Sequence, residues 1–150
     1  MGNCIVAAVL LKTWLRELPD SIVPQVRLLI SPSSHFLLLG SHNCSQRIYG
    51  RCIELASKPG SGGEGVTQVL QSLPRANLCM LKALALFLRE LSESSDITRM
   101  GLDNFAIVFA PCWLRNPSDD PATLLVNTNK EIAFAKEALT VLCSDEFVVQ

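Results

Sequence analysis

The chain has 150 residues, of which 49% are hydrophobic and 18% are charged, and its formal net charge at pH 7 is −1. This length suits one domain with its own core, and the composition is that of a globular chain rather than a disordered one. The near-neutral charge argues against a nucleic-acid-binding protein, which needs a basic face. The apolar run that ends at Lys12 is too short to span a membrane, so no direct membrane insertion is expected.

The six cysteines are scattered, with no CxxC pair, and several lie in apolar helical patterns. We interpret them as reduced thiols of a cytoplasmic protein. His35 and His42 lie close together but have no Cys or carboxylate at the spacing of a metal site. We therefore expect no metal ion and no cofactor. A histidine-based catalytic triad is also not expected, because no other histidine is present.

Residues 3 to 18 predict an apolar helix that Pro19 ends. Lys12 and Arg16 are four residues apart and therefore share one face of it. One interpretation is a solvated edge on an otherwise buried helix. The other is a functional pair, because a helix that buries most of its surface usually excludes Lys and Arg.

The segment 26–46 differs from its surroundings, because two apolar clusters flank a Ser/Pro spacer with neither helical nor strand periodicity. One hypothesis is a translated intron, since Val26-Arg27 can be encoded as a splice donor and Gln46 as an acceptor. The alternative is a genuine surface insertion, which loops tolerate well. Continuous coding sequence across the segment in the mature transcript would contradict the intron hypothesis.

The remaining elements are also helical. We predict helices over residues 47–57, 66–72, 74–91, 103–114 and 129–143, with turns or loops at 58–65, 92–96 and 116–121. The strongest helical signal is in the predicted helix 74–91, which has an apolar stripe at helical spacing. The stripe consists of Leu78, Leu81, Leu84, Ala85, Leu88 and Leu91. The predicted fold class is therefore all-α, a bundle of several helices joined by short loops.

The helix from Asp103 carries a polar and apolar stripe of its own. Asn104, Ile107 and Pro111 fall at positions i, i+3 and i+7, and this combination suits a protein-binding groove. A second stripe of the same helix is predicted to face the core and contains Phe105, Val108 and Cys112. For Asn104 there is an alternative interpretation, a residue at the helix N-terminus that satisfies backbone donors.

Three motifs in this chain resemble the RhoGAP domain. Leu11-Lys12-x-x-Leu15-Arg16-Glu17-Leu18-Pro19 resembles the family's "LKxxLRELPxPL" helix, and Leu73-Pro74-Arg75-Ala76-Asn77 resembles its "LPxxN" helix start. Asn104-x-Ala106-Ile107-Val108-Phe109-Ala110-Pro111 resembles "NLAxxFGPNLL". The segment from Asp120 to Glu131 is most similar to the Vilse type. Apart from residues 26–46, the resemblance covers nearly the whole chain. Three motifs in the family's order and at roughly its spacing are a specific signal.

The resemblance implies a RhoGAP-like helical bundle over residues 1–150, incomplete at the N-terminus, which activates Rho-family small GTPases in signal transduction. Its partner would be such a GTPase in the GTP-bound form. By resemblance, Lys12 and Arg16 support the catalytic loop, and Asn104 positions that loop and contacts the GTPase. Ile107 and Pro111 correspond to the apolar contact with the GTPase switch regions.

Two departures from the family pattern limit this expectation. The family's catalytic arginine finger lies in a "GIFRxSG"-like loop before the Lys12 helix, where this chain has no residues, so no catalytic residue is assigned. Ala110 and Cys112 replace the family's Gly and Asn. We therefore expect an impaired activator. By the same resemblance, helices that the family packs against this core are missing, which should leave apolar surface exposed. The alternatives are a catalytically inactive module that binds a GTPase or another protein, and a helical scaffold with no GTPase role.

Overall fold

The computed structural model describes residues 3–19, 21–23, 41–57 and 62–149, without the side chains of residues 3–5, 41–47 and 62. Within these ranges the chain forms helices and no strand, which confirms the all-α prediction. The helices are α1 (Asn3–Glu17), α2 (Ser41–Ala56), α3 (Gly62–Gln71), α4 (Arg75–Glu93), α5 (Ser95–Thr98), α6 (Leu102–Trp113) and α7 (Pro121–Cys143).

The bundle is organised around α7, which packs against α2, α3, α4 and α6, while α1 packs against α6. The predicted stripe of α4 faces this core: Leu78, Leu81, Leu84, Ala85 and Leu88 are buried, and Leu91 is partly buried. Burial of one leucine side chain contributes about 1.5–3 kcal/mol. Helical periodicity therefore identified the core side of this helix correctly.

Helices α2 and α3 begin earlier than predicted. Helix α2 starts at Ser41 rather than at residue 47, so the last six residues of the segment 26–46 are helical, and α3 starts at Gly62 rather than at residue 66. Both additional turns are polar or glycine-rich and carry no apolar periodicity to reveal them. Residues 24–40 lie outside the described residues.

Helix α7 also begins early, at Pro121 instead of residue 129. Asp120 is its N-cap, and one of its carboxylate oxygens accepts a hydrogen bond of 2.9 Å from the backbone N–H of Thr123. Pro121 occupies the first turn, where a missing N–H has no cost. The Asp-Pro pair that suggested a loop is thus the start of the longest helix described.

Helix α1 is less buried than its sequence suggested. Among its described side chains only Leu15 is buried, whereas Val6, Val9, Leu10 and Trp14 are exposed. Both interpretations of Lys12 and Arg16 assumed a helix that is otherwise buried, and that assumption is wrong. The functional role of the pair stays a prediction, and apolar surface is exposed as expected. The reason is that α1 contacts the bundle along one side only, where Leu15 joins the core.

Candidate functional site

The predicted stripe of α6 lies on the surface. Asn104, Ile107 and Pro111 are exposed, with 48% of the Ile107 side chain accessible to solvent. On the opposite side of the helix Phe105 and Cys112 are buried. An isoleucine with half its surface in water, flanked by an amide and a proline, is the kind of apolar point that a partner protein can cover.

Asn104 is bound to the turn before α6. Its side-chain nitrogen donates a hydrogen bond of 3.2 Å to the backbone carbonyl of Arg99, which has a left-handed conformation with φ of 55°. Asn104 therefore satisfies a carbonyl rather than the free N–H groups of its helix. The capping interpretation is wrong for this residue, since the N-cap position is occupied by Gly101.

Lys12 and Arg16 lie on α1 next to α6. Lys12 is half-buried and Arg16 is exposed. Burial raises the pKa of the Cys112 thiol on α6, while the nearby positive charges of Lys12, Arg16 and Arg115 act in the opposite direction. These interactions place three cations around the contact between α1 and α6. The five residues predicted from the sequence therefore lie on two neighbouring helices.

Sequence reasoning did not identify Arg115 as part of this arrangement. Its guanidinium donates hydrogen bonds to the backbone carbonyls of four residues near the end of α1, at 2.7 Å to Leu18, 3.0 Å to Arg16, 3.1 Å to Leu15 and 3.3 Å to Pro19. The last carbonyls of a helix lack partners within the helix and carry partial negative charge, so a cation stabilises them. Pro19 signals that α1 must end, but not which side chain caps it.

A second buried polar contact joins α2 to α7. The Tyr49 hydroxyl donates a hydrogen bond of 2.5 Å to a carboxylate oxygen of Glu131, a side chain only 4% exposed. Burial raises the pKa of Glu131, and the hydrogen bond from Tyr49 opposes this shift. Burial and Glu131 together raise the pKa of Tyr49, which keeps its proton. This pair holds two helices of the core together and lies apart from the α6 stripe in sequence.

Within the described parts of the chain, no cluster of three or more His, Cys, Asp or Glu side chains could hold a metal ion. The side chains of His35 and His42 are outside that description. The helices that the structure describes also include none with the length and apolar character needed to cross a bilayer.

Comparison with known proteins places these helices in a family. The profile of the RhoGAP domain matches residues 36–118, a stretch that includes the α6 stripe and ends before α7. The chain is 33% identical over 122 residues to Rho GTPase-activating protein 22 of Mus musculus. It is 34% identical over 122 residues to Rho GTPase-activating protein 24 of Rattus norvegicus, and 33% identical over 121 residues to unconventional myosin-IXb of the same species.

These alignments cover 80–81% of this chain but only a small part of each relative. The chain spans 15% of the mouse protein, 14% of the rat activator and 5% of the myosin. The relationship is therefore one of a domain shared with longer proteins.

Proposed function

Because the chain belongs to the RhoGAP domain family, we propose that it binds a Rho-family small GTPase in its GTP-bound form and takes part in stimulating GTP hydrolysis. The observation that supports this most directly is the exposed α6 stripe of Asn104, Ile107 and Pro111 beside the cations of α1. Ile107 supplies the apolar centre of the contact, and Asn104 supplies an amide held in place by the Arg99 carbonyl.

Stimulation of hydrolysis requires that negative charge developing on the transferred phosphoryl group is stabilised. An arginine finger inserted into the GTPase site increases kcat by a factor of about 10³–10⁵. In the family this arginine precedes the helix that corresponds to α1, and the first arginine of this sequence is Arg16. Arg115 does not substitute for it, because its guanidinium is bound to the end of α1. We therefore expect the 150 residues, assayed alone, to bind the GTPase and to stimulate hydrolysis weakly.

The second candidate is a module that binds a GTPase or another protein without catalysis. Exposed Ile107 suits either candidate, since it provides contact area and no chemistry. The two candidate functions differ in the role of Lys12 and Arg16. In an activator these cations orient a catalytic loop, so their loss reduces the rate of hydrolysis more than the affinity. In a binding module the same substitutions change the affinity or have no effect.

We propose the cytoplasm as the place of action. The four described cysteines, Cys52, Cys79, Cys112 and Cys143, are free thiols. Unpaired thiols at both buried and exposed positions suit a reducing compartment.

A binding assay with a panel of Rho-family GTPases tests the proposal. Each GTPase is loaded either with a non-hydrolysable GTP analogue or with GDP. We expect preference for the GTP analogue, and we expect Ile107→Asp and Asn104→Ala to weaken binding. Val148→Asp is the control, because Val148 is also an exposed aliphatic residue, 66% accessible, but lies after α7. If Ile107→Asp binds like the parent, the α6 stripe is not the contact surface.

Single-turnover GTP hydrolysis then separates the two candidates. We expect the chain alone to accelerate hydrolysis weakly and a fusion that adds a finger-bearing family segment before residue 1 to accelerate it strongly. A folded fusion that binds the GTPase but leaves its hydrolysis rate unchanged would favour the non-catalytic module.

A further inference from the structure

A pocket of about 360 Å³ lies between α1, the end of α4, α5 and α6. Its walls are mainly apolar and include Val9, Leu91, Met100, Phe105 and Val108. The volume is within the range of sites that hold small molecules, which are typically apolar with a few polar groups that orient the ligand. The pocket is therefore large enough for one hydrocarbon chain.

Lys12 is the charged residue among the described residues that line this pocket. It is half-buried, and the described part of the chain provides no ion pair or hydrogen bond to its ammonium group. A cation at an apolar wall is costly to desolvate unless an anion accompanies it. A ligand with an apolar body and a single negative charge would pack against the apolar wall and form an ion pair with Lys12.

We propose that this pocket, the Lys12 pocket, binds an amphipathic monoanion of the medium-chain carboxylate class. The alkyl chain lies against Leu91, Met100 and Phe105, and the carboxylate pairs with the Lys12 ammonium. The carboxylate accepts hydrogen bonds that the ammonium donates, and one positive charge balances one negative charge. This inference goes beyond the proposed function. It shares Lys12 with that proposal, but its test involves no GTPase, so the two can fail separately.

A second pocket provides an internal comparison. It has a similar volume, about 380 Å³, and lies between α1 and α4, where Leu11, Trp14, Met80 and Phe87 contribute to its walls. Among its described lining residues there is no charged side chain. If apolar volume alone determined binding, both pockets would take the same ligands. If the charge of Lys12 matters, an anionic ligand prefers the Lys12 pocket.

The methionines report on the two pockets separately, since Met100 lines the Lys12 pocket and Met80 lines the other. We would label the methionine methyl groups of the full chain with ¹³C and titrate it with octanoate and with 1-octanol, below the concentrations at which either self-associates. Octanoate should shift the Met100 signal saturably and leave the Met80 signal nearly unchanged. 1-Octanol, which has the same chain without the charge, should bind at Met100 about tenfold more weakly.

Two lysine variants test the role of the charge. Lys12→Gln should reduce the affinity for octanoate to that for 1-octanol, whereas Lys130→Gln on α7 should retain the preference for the anion. A third variant, Ala8→Leu, fills the pocket from α1 and should abolish the Met100 shift with both ligands. The methyl spectrum itself shows whether each variant is folded, so a loss of binding is interpretable.

The proposal is overturned if Met80 and Met100 shift in parallel without saturation, which indicates general partitioning into apolar surface. It is also overturned if folded Lys12→Gln still prefers octanoate over 1-octanol, or if folded Ala8→Leu binds octanoate as the parent does. A selective Met100 shift that depends on Lys12 supports it, whatever the outcome of the GTPase experiments.

Discussion

The guanidinium of Arg115 donates a hydrogen bond of 2.7 Å to the backbone carbonyl of Leu18, a residue 97 positions earlier in the chain. The contact joins the segment after α6 to the end of α1. Because Lys12 and Arg16 lie on α1 and the exposed stripe lies on α6, this arginine helps to set the position of the two cations relative to Asn104 and Ile107.

Arg115→Met should destabilise the protein, because the methionine keeps an apolar stem but provides no donors for the end of α1. Hydrogen bonds from a charged group contribute about 1.5–3 kcal/mol, so we expect a loss of about 2 kcal/mol in the free energy of unfolding. Urea denaturation measures this loss. The control is Arg75→Met, since Arg75 is exposed at the start of α4. Equal stability of Arg115→Met and the parent would mean that the cap contributes nothing.

Glu131 should make stability depend on pH. Burial raises its pKa above the ordinary 4.5. When a carboxyl group has a higher pKa in the folded protein than in the unfolded chain, its protonated form stabilises the fold. This stabilisation is complete at a pH below the unfolded pKa, and it is lost as the pH rises through the folded pKa. Glu131→Gln should therefore gain stability relative to the parent as the pH rises from 4.5 through the raised pKa, and then reach a plateau.

Urea denaturation at intervals from about pH 4.5 to 7.5 measures this difference. Glu137→Gln is the control, because Glu137 lies on the same helix and is only partly buried. Parallel pH profiles for the parent and Glu131→Gln would contradict the prediction.

Loss of the α7 N-cap should reduce the free energy of unfolding by less than loss of the Arg115 hydrogen bonds. Asp120→Ala removes the acceptor for the Thr123 N–H, and the loss of this N-cap should lower the free energy of unfolding. Thermal or urea unfolding measures the change. Asp119→Ala removes a neighbouring exposed carboxylate that is not the cap. If the two variants are destabilised equally, the effect comes from removing a negative charge near the start of α7 and not from losing the cap hydrogen bond.

Thiol reactivity should follow burial. Burial raises the pKa of the Cys52 thiol to about 12, whereas Cys79 is exposed. Because the thiolate is the reactive form, N-ethylmaleimide should label Cys79 in the native protein and Cys52 only after unfolding in urea. Peptide mapping by mass spectrometry assigns each site, and Cys79→Ser should lack the corresponding label. Comparable native labelling of Cys52 would show that α2 opens readily.

Several features of the fold were predictable because they depend on residues close together in sequence. The α4 stripe from Leu78 to Leu88 and the exposed positions of Asn104 and Ile107 follow from helical spacing. The start of α7 was missed although its signal is local, because Asp120-Pro121 is compatible with both a turn and a helix cap. Apolar composition alone predicted that α1 is mostly buried, which is wrong, because composition does not specify whether a neighbour is present to cover the helix.

The order of residues along the chain is sufficient to predict the all-α class, the core stripe of α4 and the surface stripe of α6, and its motifs carry the RhoGAP resemblance. Three other features became visible only in the folded chain: Arg115 caps α1, Tyr49 pairs with Glu131 across 82 positions, and Lys12 lines an apolar pocket. The reason is physical. Helical periodicity acts over three or four residues, whereas caps, buried pairs and pockets depend on which helices pack together.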